Sequence, residues 1–256
     1  MTVEESMDAF SIDWILLQLA DSALPTGGFV ASGGLEAYVQ TNHMVSLDQF
    51  ITNSLSSMAF SNIPFIRSTW IALENRDLNE IVEIDRRYNA LLGSNHVNKR
   101  ASCAQGVAYL TLITKSFPKV ELLDFITDFK LLIRANKTLG HLAICFTVAC
   151  YSLGLDCGKV EFLFLFLHVR AVVSSAIRMS LIGPYEGQQV IFDSKSKVGT
   201  ILKLVNNKLL KPILPETDLE ALLMGEGVEE LAVSTSPLLD IVQGSHDRLY
   251  TRIFNS

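Results

Sequence analysis

At 256 residues the chain can bury a substantial core, as one large domain or two small ones. Hydrophobic residues make up 49% and charged residues 19%, richer in apolar side chains than an average soluble domain, which leaves apolar surface over for other proteins. A net charge of −6 with no basic stripe argues against a nucleic-acid binder.

Cys103, Cys145, Cys150 and Cys157 show no CxxC pairing, and the opening MTVEESMDAF is acidic where a secretory signal would be basic and then apolar. A reducing cytoplasm is therefore expected. The most apolar tracts, 142–155 and 162–167, fall short of the about twenty residues a membrane span needs, and predict buried helices with no membrane association.

Helical signals run almost throughout, so the chain reads as all-α, a single compact helical domain of about ten helices. The first helix starts near Asp8 or Ser11 and carries Trp14, Leu17 and other apolar residues nearly all round, so it is either central or covered by a partner. The stretch 16–40 places Gly27, Gly28, Gly33, Gly34 and Pro25 between two apolar segments, which predicts helix, ordered turn, helix. The turn either presents itself to a ligand or partner, or simply lets two helices pack closely. Ser32 or Gly33 opens the second helix, through Leu35, Glu36 and Tyr38 to 41–43.

Ser46 and Gln49 form a capping box for a third helix, and Asn62 with Pro64 mark the start of a fourth. A fifth follows Asp77 and stops at Gly93. Small residues, among them Gly106, line the helix expected over 97–117, so a neighbouring backbone can come close. Further helices are expected over 120–135, 140–153, 159–182 and 186–210. The segment 211–238 reads as loop with one short helix at 218–224, and 239–256 as a docking tail. Within SHDRLYTRIFNS, Leu249, Tyr250, Ile253 and Phe254 pair as on a helix, with Arg248 and Arg252 on a neighbouring face. So short a helix needs a surface, its own domain or another protein.

Chemistry is sparse. Gly28 and Gly33 have P-loop spacing, but Gly34-Leu35 stand where Lys and Ser/Thr belong. His141, Cys145 and Cys150 suggest a metal site only against a stronger reading as core. Ser22, Ser32 and Cys103 are conceivable nucleophiles outside any known motif, and Asp124 with Asp128 reads as a solvated face. Arg170 and Arg178 lie in an apolar helix and need an acid, a carbonyl or water. A helical enzyme or small-ligand-binding protein with a pocket near Gly27 to Gly34 remains the alternative to a scaffold.

Four stretches together resemble the urease accessory protein F family. Leu16-Leu17-Gln18-Leu19, Ser22, Leu24-Pro25, Gly27, Phe29, Ser32 and Gly34-Leu35-Glu36 are similar to its LLQLxSxxLPxGxFxxSxGLE block. Asn95-His96-Val97 with Arg100-Ala101-Ser102, Gln105 and Gly106 resembles the central block of eukaryotic members. Gly187-Gln188 resembles a Gly-Gln pair that follows the long helix bearing Arg170 and Arg178. His246, Asp247, Tyr250, Arg252, Phe254 and Ser256 look like the closing HExxYSRLFRS signature, with Asp247, Thr251, Ile253 and Asn255 as departures. Gly183-Pro184-Tyr185 also stands where many members have a Pro-Leu-Gly-type turn.

The resemblance implies an all-α homodimer and a non-catalytic maturation factor. It would join the urease accessory protein D/H and the nickel-carrying GTPase G to deliver nickel to apo-urease, modulating the GTPase. No cofactor would be bound stably by this chain; the complex would handle nickel and GTP. The first helix and the tail would engage D/H, and another face the GTPase. The implied partner-binding residues are Trp14, Leu17, Pro25, Gly27, Phe29, Ser32, Gly34, Glu36, Tyr38, Arg100, Arg178 and Gln188, with His246, Asp247, Arg248, Tyr250, Arg252 and Phe254 in the tail.

Overall fold

The computed structural model describes residues 12–41, 46–93, 95–117, 120–210 and 227–255. Among them no strand occurs, and ten α-helices do: α1 over 12–19, α2 (Leu35–Gln40), α3 (Leu47–Glu74), α4 (Leu78–Leu91), α5 (His96–Ser116), α6 (Leu123–Arg134), α7 (Leu142–Ser152), α8 (Cys157–Arg178), α9 (Pro184–Leu210) and α10 (Pro237–Gly244). The start expected near Asp8 or Ser11, the short helix expected at 218–224, and Ser256 lie outside the described residues.

Helix α7 sits at the centre because nothing on it demands water. Its residues 143–150 are all buried, and it packs on α5 and α3. Helix α3 carries the architecture, contacting α4, α7, α8 and α9 along its length. The one described helix long and apolar enough to cross a membrane, Cys157–Arg178, packs here between α3 and α9. Close approach depends on Gly106: a Cβ there would stand 2.2 Å from the Gly140 carbonyl oxygen of the segment entering α7.

The local signals hold where they can be satisfied locally. Ser46 Oγ accepts from the Gln49 amide at 3.0 Å, and Asp77 accepts from the amides of Asn79 and Glu80. Gly93 ends α4 with φ +54°. Three expectations fail. The break at Asn62 and Pro64 does not occur, and α3 runs on through Pro64. The ring removes the amide that would have bonded the Phe60 carbonyl, but Val233 N–H donates to that carbonyl instead, at 3.2 Å. Helix α8 ends at Arg178 instead of 182, with Ser180 in the left-handed region at φ +58°.

The third correction concerns the tail. Residues 237–244 form α10, with Pro237 in its first turn, and a 3-10 turn follows at His246–Arg248. Beyond it Leu249 is extended and no helix forms among 249–255. The amides of Ile253 and Phe254 bond a buried carboxylate, a better partner than carbonyls of a short, frayed helix.

Candidate functional site

The glycine-rich turn begins after α1 with Pro25 exposed and Thr26 buried. Gly27, Gly33 and Gly34 adopt φ of +74°, +62° and +86°, a region closed to most side chains. Between them Gly28–Val30 makes one 3-10 turn, and Ala31 is extended. Such a path brings Gly33 against Val172 of α8 and Gly34 against Gln243 of α10.

Helix α8 grips the turn through the two arginines singled out from sequence. Arg170 donates to the Ala20 carbonyl and Arg178 to the Phe29 carbonyl, so carbonyls answer both charges. Spaced about two helical turns apart, they hold both sides of the glycine-rich stretch. The Arg178 guanidinium also stacks on two rings, 4.0 Å from the Phe29 centroid and 4.3 Å from that of Phe254.

Glu36 is the anchor of the tail. It is fully buried in the first turn of α2, where Ser32 Oγ faces its amide at 3.5 Å. Its carboxylate accepts from Ile253 N–H at 2.6 Å, Phe254 N–H at 3.1 Å and His246 Nε2 at 2.9 Å. Each hydrogen bond to a charged group contributes about 1.5–3 kcal/mol. His246 is itself fully buried and its Nδ1 has no partner, so the neutral Nε2–H form fits best. Gln40 Nε2 adds a bond to the Thr251 carbonyl at 2.9 Å, and Asn255 N–H bonds the Val30 carbonyl at 2.8 Å.

A second knot closes the outer side. Asp247 accepts both guanidinium arms of Arg100 at 2.9 Å, with His96 Nε2 and Arg252 at 3.2 Å. The Arg100 hydrogen bonds, with His96 behind them, hold its carboxyl down to about 2. Asn95, the cap of α5, ties this helix to α10 through the Asp240 carbonyl and Gln243. Between turn, α5 and tail lies an open groove of about 830 Å³, rimmed by Gly27, Val30, Arg100, Arg252 and Ile253.

Of the residues singled out from sequence, Gly27, Phe29, Ser32, Gly34, Glu36, Arg100, Arg178, His246, Asp247, Arg252 and Phe254 converge here. Tyr250 and Phe29 point outward, 102% and 62% exposed. Trp14 and Leu17 lie exposed on α1, and Arg248 is exposed in the tail. Tyr38 turns toward Phe50, 5.1 Å between centroids, and Gln188 is exposed on α9. Sequence reasoning missed Gln40 and the cross-links of Asn95 and His96; all three are polar residues at helix ends, a weak signal with no stated partner.

The candidate nucleophiles fare differently. Cys103 Sγ is 3.4 Å from His141 Nδ1, above the buried Asp85, whose carboxylate accepts from the amides of Leu139, Gly140 and His141 and from Thr138 Oγ1. Burial pushes the Cys103 thiol up to about 11, with Asp85 adding to it, and burial pushes His141 down. Both shifts favour the neutral pair, the reverse of an activated thiolate. Ser32 is committed to α2, and Cys145 and Cys150 are core residues. Among the described residues no group of three or more His, Cys, Asp or Glu is placed to hold a metal ion.

A family model described as UreF matches residues 41–195. The chain is 34% identical over 248 residues to a protein of Arabidopsis thaliana named urease accessory protein F, covering 96% of this chain and 93% of the relative. It is 28% identical to urease accessory protein 6 of Cryptococcus neoformans, covering 94% and 96%, and 30% identical to urease accessory protein F of Oryza sativa, covering 97% and 87%.

Proposed function

Because the chain belongs to the urease accessory protein F (UreF) family, we propose that it serves urease maturation as a non-catalytic scaffold whose turn-and-tail surface binds the urease accessory protein D/H. The observation that carries this reading is the Glu36 carboxylate, which joins residues more than two hundred positions apart into one exposed surface. Phe29, Tyr250 and Ile253 on that surface, with Trp14 and Leu17 on α1, are apolar and aromatic side chains left in water. Residues of this kind serve as interface anchors.

On this proposal the nickel-carrying GTPase G docks on another face and is modulated there, with Gln188 on α9 as a contact. Two copies of the chain form a homodimer in the cytoplasm, and the assembled complex transfers nickel to apo-urease. Nickel and GTP belong to the complex. The protonation states of Cys103 and His141 support a non-catalytic role. The groove favours one second reading, a small-ligand-binding protein or helical enzyme, which turnover by the isolated chain would support.

The test is co-expression with D/H, the GTPase and apo-urease, reading partner recovery and nickel-dependent urease activity. Tyr250→Ala with Ile253→Asp should cut D/H recovery about tenfold, as loss of an anchor does, with an unchanged melting temperature. Full recovery of D/H by that variant would sink the turn-and-tail surface.

A further inference from the structure

A second surface, remote from the turn, gathers four cations. Lys130 and Arg134 lie one turn apart on α6, and the exposed Leu131 borders that row, one turn before Arg134 and one turn after the exposed Asp128. Lys130 Nζ donates to Thr114 Oγ1 at 2.8 Å, which brings its ammonium to the end of α5 beside the exposed Lys115. Lys137 is exposed just past the end of α6. Among the described residues none of these four cations forms an ion pair, and the acids of α6, Asp124 and Asp128, do not answer them.

Like charges one turn apart disfavour a helix, and this chain carries 27 acidic residues from which counter-ions could have been drawn. The helix dipole accounts for Lys115 and Arg134, each in the last turn of its helix. It does not account for Lys130. Partial burial and the charges of Arg134 and Lys115 push the Lys130 ammonium below its ordinary value, in keeping with their proximity.

We infer that the α5–α6 end, with Lys115, Lys130 and Arg134 beside Leu131, is a docking site for an acidic protein segment that carries an apolar side chain. Charge complementarity selects the acid, and the exposed Leu131 selects the apolar residue. A phosphate backbone would leave Leu131 unused, and the chain's net charge of −6 would repel a long polyanion while a short segment senses chiefly the local field.

The test uses the full chain and a fluorescein-labelled twelve-residue peptide repeating Glu-Glu-Leu, with anisotropy read at low and high salt. Lys115→Glu/Arg134→Glu, which alters two exposed side chains, should weaken binding about tenfold, and added salt should weaken wild-type binding. Lys195→Glu/Lys203→Glu on α9 changes net charge equally and should leave binding within about twofold. Lys130→Arg should bind as wild type. Equal weakening by the α9 variant, no binding by wild type, or tighter patch-dependent binding of a twelve-nucleotide single strand or of phosphatidylserine vesicles would each overturn the inference.

Discussion

Replacing Glu36 by glutamine tests whether the buried carboxylate holds the tail. Glutamine matches the shape but keeps one acceptor oxygen where the carboxylate has two. With its oxygen toward Ile253 N–H, 2.6 Å from Oε1, the new NH₂ faces Phe254 N–H and His246 Nε2, the two donors now on Oε2. One amide then loses its acceptor. His246 must change tautomer, moving a proton to an Nδ1 that is buried without a partner. Losing a charged hydrogen bond and stranding a buried donor cost about 2–4 kcal/mol together. The side chain at stake, Phe254, contributes about 1.5–3 kcal/mol by its burial. Tail docking should therefore weaken roughly 30-fold or more. Amide hydrogen exchange at Ile253 and Phe254 reads this directly, and trypsin cleavage after Arg252 should accelerate in parallel. Exchange within about twofold of wild type at both amides would refute the assignment of Glu36 as anchor.

Gly106→Ala sets a Cβ against the backbone of Gly140 and His141, which cannot move aside without parting α5 from α7, and should cost about 3 kcal/mol, read as a lower urea midpoint. Arg178→Lys keeps the charge but loses the planar stack between Phe29 and Phe254; tail exchange should rise by about 1–2 kcal/mol of opening free energy while global unfolding changes little. Burial lowers His168 from 6.5 to about 4, so the unfolded chain takes up the proton first. Stability from this group is therefore complete above pH 6.5 and lost as pH falls toward 4, and His168→Gln should flatten urea midpoints across that window.

Most helix boundaries were legible because their causes lie within four residues of the boundary. Ser46, Asp77 and Gly93 act on amides or dihedrals of their own turn, and the structure keeps them in those roles. Pro64 misleads for the opposite reason. The group that rescues its missing hydrogen bond is the amide of Val233, in a strap that Glu229 pins to α3 and α4 through Ser68 and Arg87. Nothing near Pro64 announces that strap. The tail misleads similarly: Tyr250 and Phe254 have helical spacing, yet one is in water and the other is buried, since no helix forms over 249–255 and the Glu36 carboxylate holds the amides of Ile253 and Phe254 against the domain.

The site was legible in its ingredients and illegible in its pairing. Glycines with positive φ, a buried acid in the first turn of α2 and arginines in an apolar helix each break a local rule, and such breaks gather where long-range contacts supply the compensation. Here the compensations interlock. The left-handed glycines let the turn settle on α8, Arg178 caps the turn's carbonyl and presents its face to Phe254, and Phe254 leads its own amide to Glu36. Removing any one member leaves another unsatisfied, so turn and tail should respond to substitution together, with coupling free energies in double-mutant cycles. A tail that merely rested on the domain would give additive effects for Glu36→Gln and Arg178→Lys. The shared Phe254 predicts that the second substitution costs markedly less once the first has released the tail.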